Sequence, residues 1–145
     1  MRRYCALAVA WAAVSCAAAV AQTSGALPVL AAPRTYSVDG VAARVLPNGA
    51  ESRDVLKGVL PTGEAIALHE TVQPVGAKPN DPHRIDHSEV ITVIEGTVAF
   101  EHDGKAEKVG PGGVIFVAMG TLHTVRNVGT VPAKYAVLQI GGDTK

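Results

Sequence analysis

The sequence predicts an all-β domain, a sandwich or a barrel, on three observations. After residue 33, short runs rich in Val, Ile and Thr alternate with clusters of Gly, Pro, Asn and Asp. No segment there keeps an apolar 3.6-residue period over three turns, so no long amphipathic helix is expected. The turn signals recur at short intervals, which is the spacing of a sandwich or barrel. With 145 residues the chain has room for one such domain and not two.

The first 21 residues stand outside that domain. Met1-Arg2-Arg3 is a basic start, Cys5 to Val14 is apolar, and Ala19-Val20-Ala21 before Gln22 is a small-x-small cleavage pattern. This is the layout of a secretory signal peptide. A membrane anchor is the competing reading, but no stop-transfer charge cluster follows the apolar stretch. A lipoprotein reading at Cys16 lacks the usual Leu three residues ahead. Cleavage after Ala21 removes Cys5, Cys16 and Trp11, so the mature chain is expected to carry no disulfide, Cys ligand or Cys nucleophile. It also removes Arg2 and Arg3, so Lys plus Arg falls from 13 to 11 against 13 acidic residues. That slightly acidic balance argues against a nucleic-acid partner and against an anionic membrane surface. The expected compartment is the bacterial periplasm or the exterior, with no stable membrane insertion after cleavage.

Residues 22–33, rich in Ala, Pro, Gly and Ser, are expected to form a flexible lead-in to a single domain over 34–145. Expected strands cover 36–46, 53–60, 65–72, 89–95, 97–102, 106–109, 114–118, 123–127 and 134–140. Pro47-Asn48-Gly49, Pro61-Thr62-Gly63, Asp103-Gly104, Gly110-Pro111-Gly112-Gly113 and Gly129-Thr130 separate them. Asp103-Gly104 is the strongest hairpin signal, because both central residues of a type I′ turn need positive φ. Val90-Ile91-Thr92-Val93-Ile94 and Val114-Ile115-Phe116-Val117 do not alternate. Strands of that kind are expected to be covered on both faces. A second copy of the chain covering one face would make a homodimer, and a one-chain mass by light scattering would contradict it.

Chemistry concentrates in two segments. The first holds His83, His87 and Glu89, and the second holds His123. Imidazole and carboxylate together suit a divalent transition metal such as Mn, Fe, Ni, Zn or Cu. His87 and Glu89 are two apart, so on a strand they share a face, with Cα atoms roughly 6.5–7 Å apart. His83 lies about 13 Å from His87 along a straight strand and joins only if the chain turns between them. Pro82 makes such a turn plausible, since it cannot sit in a central strand. Taken singly, each His is more often a surface or hydrogen-bonded residue than a ligand. Three of the five histidines fall at these points. His102, beside the Asp103-Gly104 turn, is expected to be solvated. His69 is expected either near the pocket or on the outer face.

The two segments resemble the two motifs of the cupin family. The first motif, G-x5-H-x-H-x(3,4)-E-x6-G, is matched by His83, Glu89 and Gly96, with Gly76 one residue early. The second, G-x5-P-x-G-x2-H-x3-N, is matched by Gly112, Gly120, His123 and Asn127, with Ala118 in place of the proline. The resemblance implies a double-stranded β-helix, or jelly-roll, barrel, often dimeric. It also implies a metal held by two His and a Glu of the first motif and the His of the second. One position departs, because Ile85 stands where the second His belongs. His87 keeps the same side-chain parity and can take its place if the turn after Pro82 is tight. The expected ligands are therefore His83, His87, Glu89 and His123. Gly96 and Gly120 are expected to serve turns, and Asn127 to bond a loop backbone.

The function this suggests is metal-dependent chemistry on a small organic molecule, of dioxygenase, lyase or isomerase type, with Glu89 as a possible general base. A non-catalytic sugar-binding or small-ligand barrel, or a metal-free structural barrel with Ile85 as its mark, is the alternative. Fold alone does not decide among these. The inward residues read as Ile, Val and Ala, so the pocket is expected to be modestly apolar.

Overall fold

A computed structural model describes residues 26–142 and Thr144. The signal-peptide reading falls on residues outside this range. Among the described residues there are strands and turns but no helix. The strands are β1 Arg44–Val45, β2 Glu51–Val59, β3 Ala65–Gln73, β4 Ser88–Glu95, β5 Val98–His102, β6 Lys105–Val109, β7 Val114–Val117, β8 His123–Asn127 and β9 Ala133–Ile140. They form a six-stranded sheet in the order β1-β2-β3-β9-β4-β7 and a three-stranded sheet in the order β6-β5-β8. Every pairing between these strands is antiparallel. Ile91, Val93, Val98, Phe100, Val117 and Val137 are buried together with Ile85 and Tyr135 between the sheets. Burying an aliphatic side chain of this size is worth roughly 1.5–3 kcal/mol, so this core supplies the main driving force.

Two turns explain how the chain doubles back. Asp103 and Gly104 both have positive φ, at 47° and 73°, as a two-residue type I′ hairpin between β5 and β6 requires. Gly96 turns β4 into β5 with φ of 75°. A Cβ there would also lie 2.6 Å from the Pro132 carbonyl oxygen, so only glycine fits.

The first expected strand shrinks. Of residues 36–46 only Arg44–Val45 pairs. The Val41 N–H donates to the Val38 carbonyl at 3.1 Å, closing a turn at Gly40, whose φ is 81°. The run of Val, Asp, Gly and Val is therefore spent on a turn. Residues 28–30, expected as flexible lead-in, instead pair with the end of β2. Leu30 N–H donates to Val59 at 2.8 Å, and Val59 N–H to Pro28 at 2.9 Å.

The expectation that β4 and β7 are covered on both faces also fails within one chain. Val114 and Phe116 are 60% and 64% exposed, while Ile115 and Val117 are buried. Register places Leu68, Leu138, Val90 and Phe116 in one row across β3, β9, β4 and β7, on the face away from the core. The apolar residues are real, but they form an outer face that is half-buried at Leu68, Leu138 and Val90 and open at Phe116.

The inward face has rows of its own. Arg44, Ser52, Thr71 and Tyr135 are successive partners across β1, β2, β3 and β9. Asp54, His69, Val137 and Ile91 form the next row, and Gln139 and Glu89 the one after. These three rows floor a cavity of about 340 Å³.

Candidate metal centre

The two motif segments meet by backbone hydrogen bonds. His83 N–H donates to the His123 carbonyl at 3.1 Å, and His123 N–H returns the bond at 3.0 Å. Gly120 N–H donates to the Ile85 carbonyl at 2.9 Å, and the Arg84 side chain donates to the Gly120 carbonyl. Gly120, with φ of 79°, makes the turn that brings this carbonyl round. The chain then bends at Asp86 and His87 before β4 begins. That bend is how His83 escapes the reach of a straight strand.

Glu89 is the centre of the cluster. It is buried, and one of its oxygens lies 3.0 Å from His87 Nε2. The same oxygen accepts from Gln139 Nε2 at 3.3 Å. Its other oxygen faces His123 Nε2 at 3.7 Å, beyond a direct hydrogen bond and within reach of charge attraction. The His83 and His123 rings are 4.9 Å apart between centroids. His83, Ile85, Glu89 and His123 all line the cavity. His87 is buried and meets Glu89 from outside the set of cavity-lining residues.

The two cavity imidazoles are held in one tautomer. His123 Nδ1 lies 3.0 Å from the Thr121 carbonyl oxygen, and His83 Nδ1 lies 3.1 Å from the Asp81 carbonyl oxygen. A carbonyl only accepts, so Nδ1 carries the hydrogen in each ring. In its neutral form each ring therefore presents a lone pair at Nε2. At His123 that lone pair faces a carboxylate oxygen, and the arrangement calls for a positive charge between them, either a proton or a cation. With the proton, the Glu89 contact outweighs burial and, with help from Thr121, raises the His123 pKa. Burial alone would raise the Glu89 pKa. The interactions with His123, His87 and Gln139 overcome it and bring the value down to about 2. A carboxylate held so low is a weak base near neutral pH. In the metal-free protein Glu89 therefore stands as an anion at neutral pH.

These shifts fix a pH dependence for the metal-free protein. The Glu89 pKa is lowered on folding, so its stabilisation is present above its ordinary value of 4.5 and is lost as pH falls toward about 2. The His123 pKa is raised, so its share is complete below 6.5 and fades as pH rises through its folded value. The pair is worth most between those limits. The Glu89 shift corresponds to about 3 kcal/mol, and a Gln side chain keeps part of the hydrogen bonding. Glu89→Gln should therefore lose about 2 kcal/mol near pH 5.5 and distinctly less at pH 3 or pH 9. Urea unfolding at the three pH values checks this, and a deficit that does not vary with pH would contradict it.

Among the described residues, no three His, Cys, Asp or Glu side chains surround a common point in a way that holds an ion as they stand. The donors fit a divalent transition metal in kind. They comprise a carboxylate ionised at neutral pH, two imidazoles whose Nδ1–H bonds to backbone leave Nε2 for a ligand, and a third imidazole on the same carboxylate. Orientation of a ligating His through its other ring nitrogen is the usual outer support of a metal site.

Several residues depart from their sequence expectations. The cavity is lined by Asn48, Ser52, Thr71, Gln73, Asn80 and Gln139 as well as by Val and Ile, so it is polar and not modestly apolar. His69 lines it, and burial lowers its pKa against the smaller opposing pull of Glu89 and Asp54. His102 is only partly solvated, with its side chain 20% exposed. It stacks on Phe100 at 4.5 Å, between Asp103 and Glu107. Asn127 behaves as expected, with its side-chain amide donating to the Gln73 and Val131 carbonyls and its side-chain oxygen accepting from Gly129 N–H. Arg44 and Tyr135 carry no sequence signal of their own; only the register of β1 and β9 puts them on the cavity side, Tyr135 buried and Arg44 at the exposed rim.

The family model described as "Cupin domain" matches residues 68–139, which contain Glu89, His123 and both motif turns. The chain is a cupin. Its fold agrees with solved relatives. The polyketide cyclase RemF from Streptomyces resistomycificus is 17% identical, with 77% of this chain and 86% of that one covered and a TM-score of 0.61. A protein described as a predicted oxalate decarboxylase from Thermotoga maritima is 15% identical over 74% of this chain and 98% of that one, with a TM-score of 0.61. An RmlC-like cupin with a double-stranded β-helix fold from Methanocaldococcus jannaschii is 12% identical, with coverages of 76% and 92% and a TM-score of 0.57. At these identities the likeness establishes the fold. No curated protein sequence matches this cupin. Its departure from the motif at Ile85 is a packed one, because that side chain is buried in the core cluster and lines the cavity beside His123.

Proposed function

We propose that this cupin is an exported, metal-dependent enzyme that acts on a small organic molecule in the cavity. The observation that carries the reading is the buried Glu89 carboxylate, set against His87 and His123 at the cavity floor with His123 Nδ1 tied to the backbone. His83, His87, Glu89 and His123 are the residues that would hold the ion. A metal there would supply Lewis-acid or redox chemistry to a substrate oxygen. The protein's own contribution is orientation. Gln139 and His87 fix the carboxylate, and the Asp81 and Thr121 carbonyls aim the two cavity imidazoles. Tyr135 lines the same wall, and burial followed by the Glu89 charge pushes its pKa up to about 12, so it stays a neutral hydrogen-bond donor. The relatives named as a polyketide cyclase and a predicted oxalate decarboxylase support small-molecule chemistry on this fold. They do not choose between dioxygenase, lyase and isomerase.

Ile85 favours a second reading, a metal-free barrel that binds a small ligand or serves structure. Thermal unfolding of the purified protein with added Mn, Fe, Ni, Zn or Cu separates the two. An ion present at about 100 times its dissociation constant adds about 2.7 kcal/mol, a rise of several degrees in Tm. A metal-free preparation whose Tm none of the five raises would support the second reading. Export belongs to the proposal through the amino-terminal pattern, and a mature protein starting at Gln22 is its check. The homodimer belongs to it through the outer apolar row of half-buried Leu68, Leu138 and Val90 that ends in exposed Phe116, which a second copy would cover.

A further inference from the structure

The cavity has a wall that the Glu89 cluster does not use. Arg44 begins the row that continues through Ser52, Thr71 and Tyr135, and it is the one Arg or Lys among the residues lining the cavity. Other arginines are spoken for. Arg53 pairs with Glu51, Arg126 with Glu101, and Arg84 bonds the Gly120 carbonyl. The Arg44 guanidinium makes no ion pair or hydrogen bond among the described residues. One row deeper stands His69, also without a hydrogen bond among the described residues. Burial keeps its imidazole neutral at pH 7, so it offers one donor and one acceptor to whatever enters. Polar groups inside a protein are almost always partnered, and a cavity-lining imidazole without a protein partner is available to a ligand. A free guanidinium at the edge of a polar concavity presents the planar fork that matches a carboxylate bidentately. The cavity, at about 340 Å³, lies near the lower end of small-molecule sites, so the ligand is small.

We propose that this wall anchors the substrate, a small oxo- or hydroxycarboxylate. Its carboxylate pairs with Arg44 and its carbonyl or hydroxyl oxygen is hydrogen-bonded by His69. That orientation points the remainder of the molecule across the cavity toward Glu89 and His123. The inference deepens the small-molecule reading of the cavity and rests on it, but it does not need the metal to be present.

The test is isothermal titration of the purified protein with pyruvate, with malonate, which has no keto oxygen, and with malonamide as a neutral counterpart. Metal content is measured on each sample. Both carboxylates should bind and malonamide should not. Arg44→Gln should weaken both carboxylates at least about 10-fold, Arg44→Lys should restore part of that loss, and neither should change the metal content. His69→Gln should weaken pyruvate more than malonate. Carboxylate affinity unchanged in Arg44→Gln, or malonamide binding as well as malonate, would overturn the proposal. Arg44-dependent carboxylate binding in a protein whose Tm none of the five metals raises would uphold it while removing the metal-enzyme reading, so the two stand or fall separately.

Discussion

Replacing His123 with Ala should lower the affinity for a divalent transition metal by about 100-fold or more, while the barrel stays folded. Structural metal sites with four ligands are worth roughly 10–16 kcal/mol in all, so each ligand carries about 3 kcal/mol, near a factor of 100. Of the proposed ligands, His123 is the one whose preparation is most complete. It is 3% exposed, lines the cavity, and has its Nδ1 committed to the Thr121 carbonyl. Its removal also leaves a Glu89 oxygen without its imidazole, so the metal-free protein should lose stability as well. The backbone bridge between His83 and His123 does not depend on the side chain and should persist. Inductively coupled plasma mass spectrometry and metal titration of wild type and His123→Ala read the first effect, and circular dichroism checks the fold. Equal metal content in a folded variant would mean that His123 is not a ligand.

Ile85→His is the complementary gain. The Ile85 backbone is already laced to Gly120, and its side chain lines the cavity with Glu89 and His123. An imidazole there adds a donor at the position the family motif assigns to one. Metal affinity should rise about 100-fold by the same per-ligand reasoning. The metal-free variant should be less stable by about 2 kcal/mol or more, because a polar ring replaces a well-packed aliphatic side chain in the core. The two effects have opposite signs, so thermal unfolding with and without metal separates them. Higher metal-free stability together with unchanged affinity would show that the Ile85 position does not face the ion.

Much of this was legible in the residues, for identifiable reasons. Strand β4 and the Asp103-Gly104 hairpin follow from local chemistry, the first from a Val/Ile run and the second from paired demands for positive φ. Glu89 and His123 stand out because the motif spacing is long and specific. The segment over 36–46 misled because Val and Tyr favour strands, while Gly40 and the Val38–Val41 bond spend the same residues on a turn. The apolar pocket was misread for a reason of parity. A strand such as β3 carries Leu68 on one face and His69 on the other, and sequence alone does not say which face meets the core. Only pairing with β9 settles it, through Leu138 outside and Val137 inside. Arg44 was invisible for the same reason, since its inward position depends on the two-residue pairing of β1 with β2. His102 was placed in solvent because it adjoins a turn, and its stacking on Phe100 is a contact that no local pattern reveals.

Anomalous diffraction from crystals of the metal-loaded protein decides whether Glu89 and His123 hold a metal at the floor of this cavity. An ion is expected within about 2.0–2.2 Å of His123 Nε2 and of a Glu89 oxygen. At least one further imidazole from His83 or His87 should complete its ligands. An anomalous peak elsewhere, or none at saturating metal with the Glu89–His123 contact intact, would contradict it.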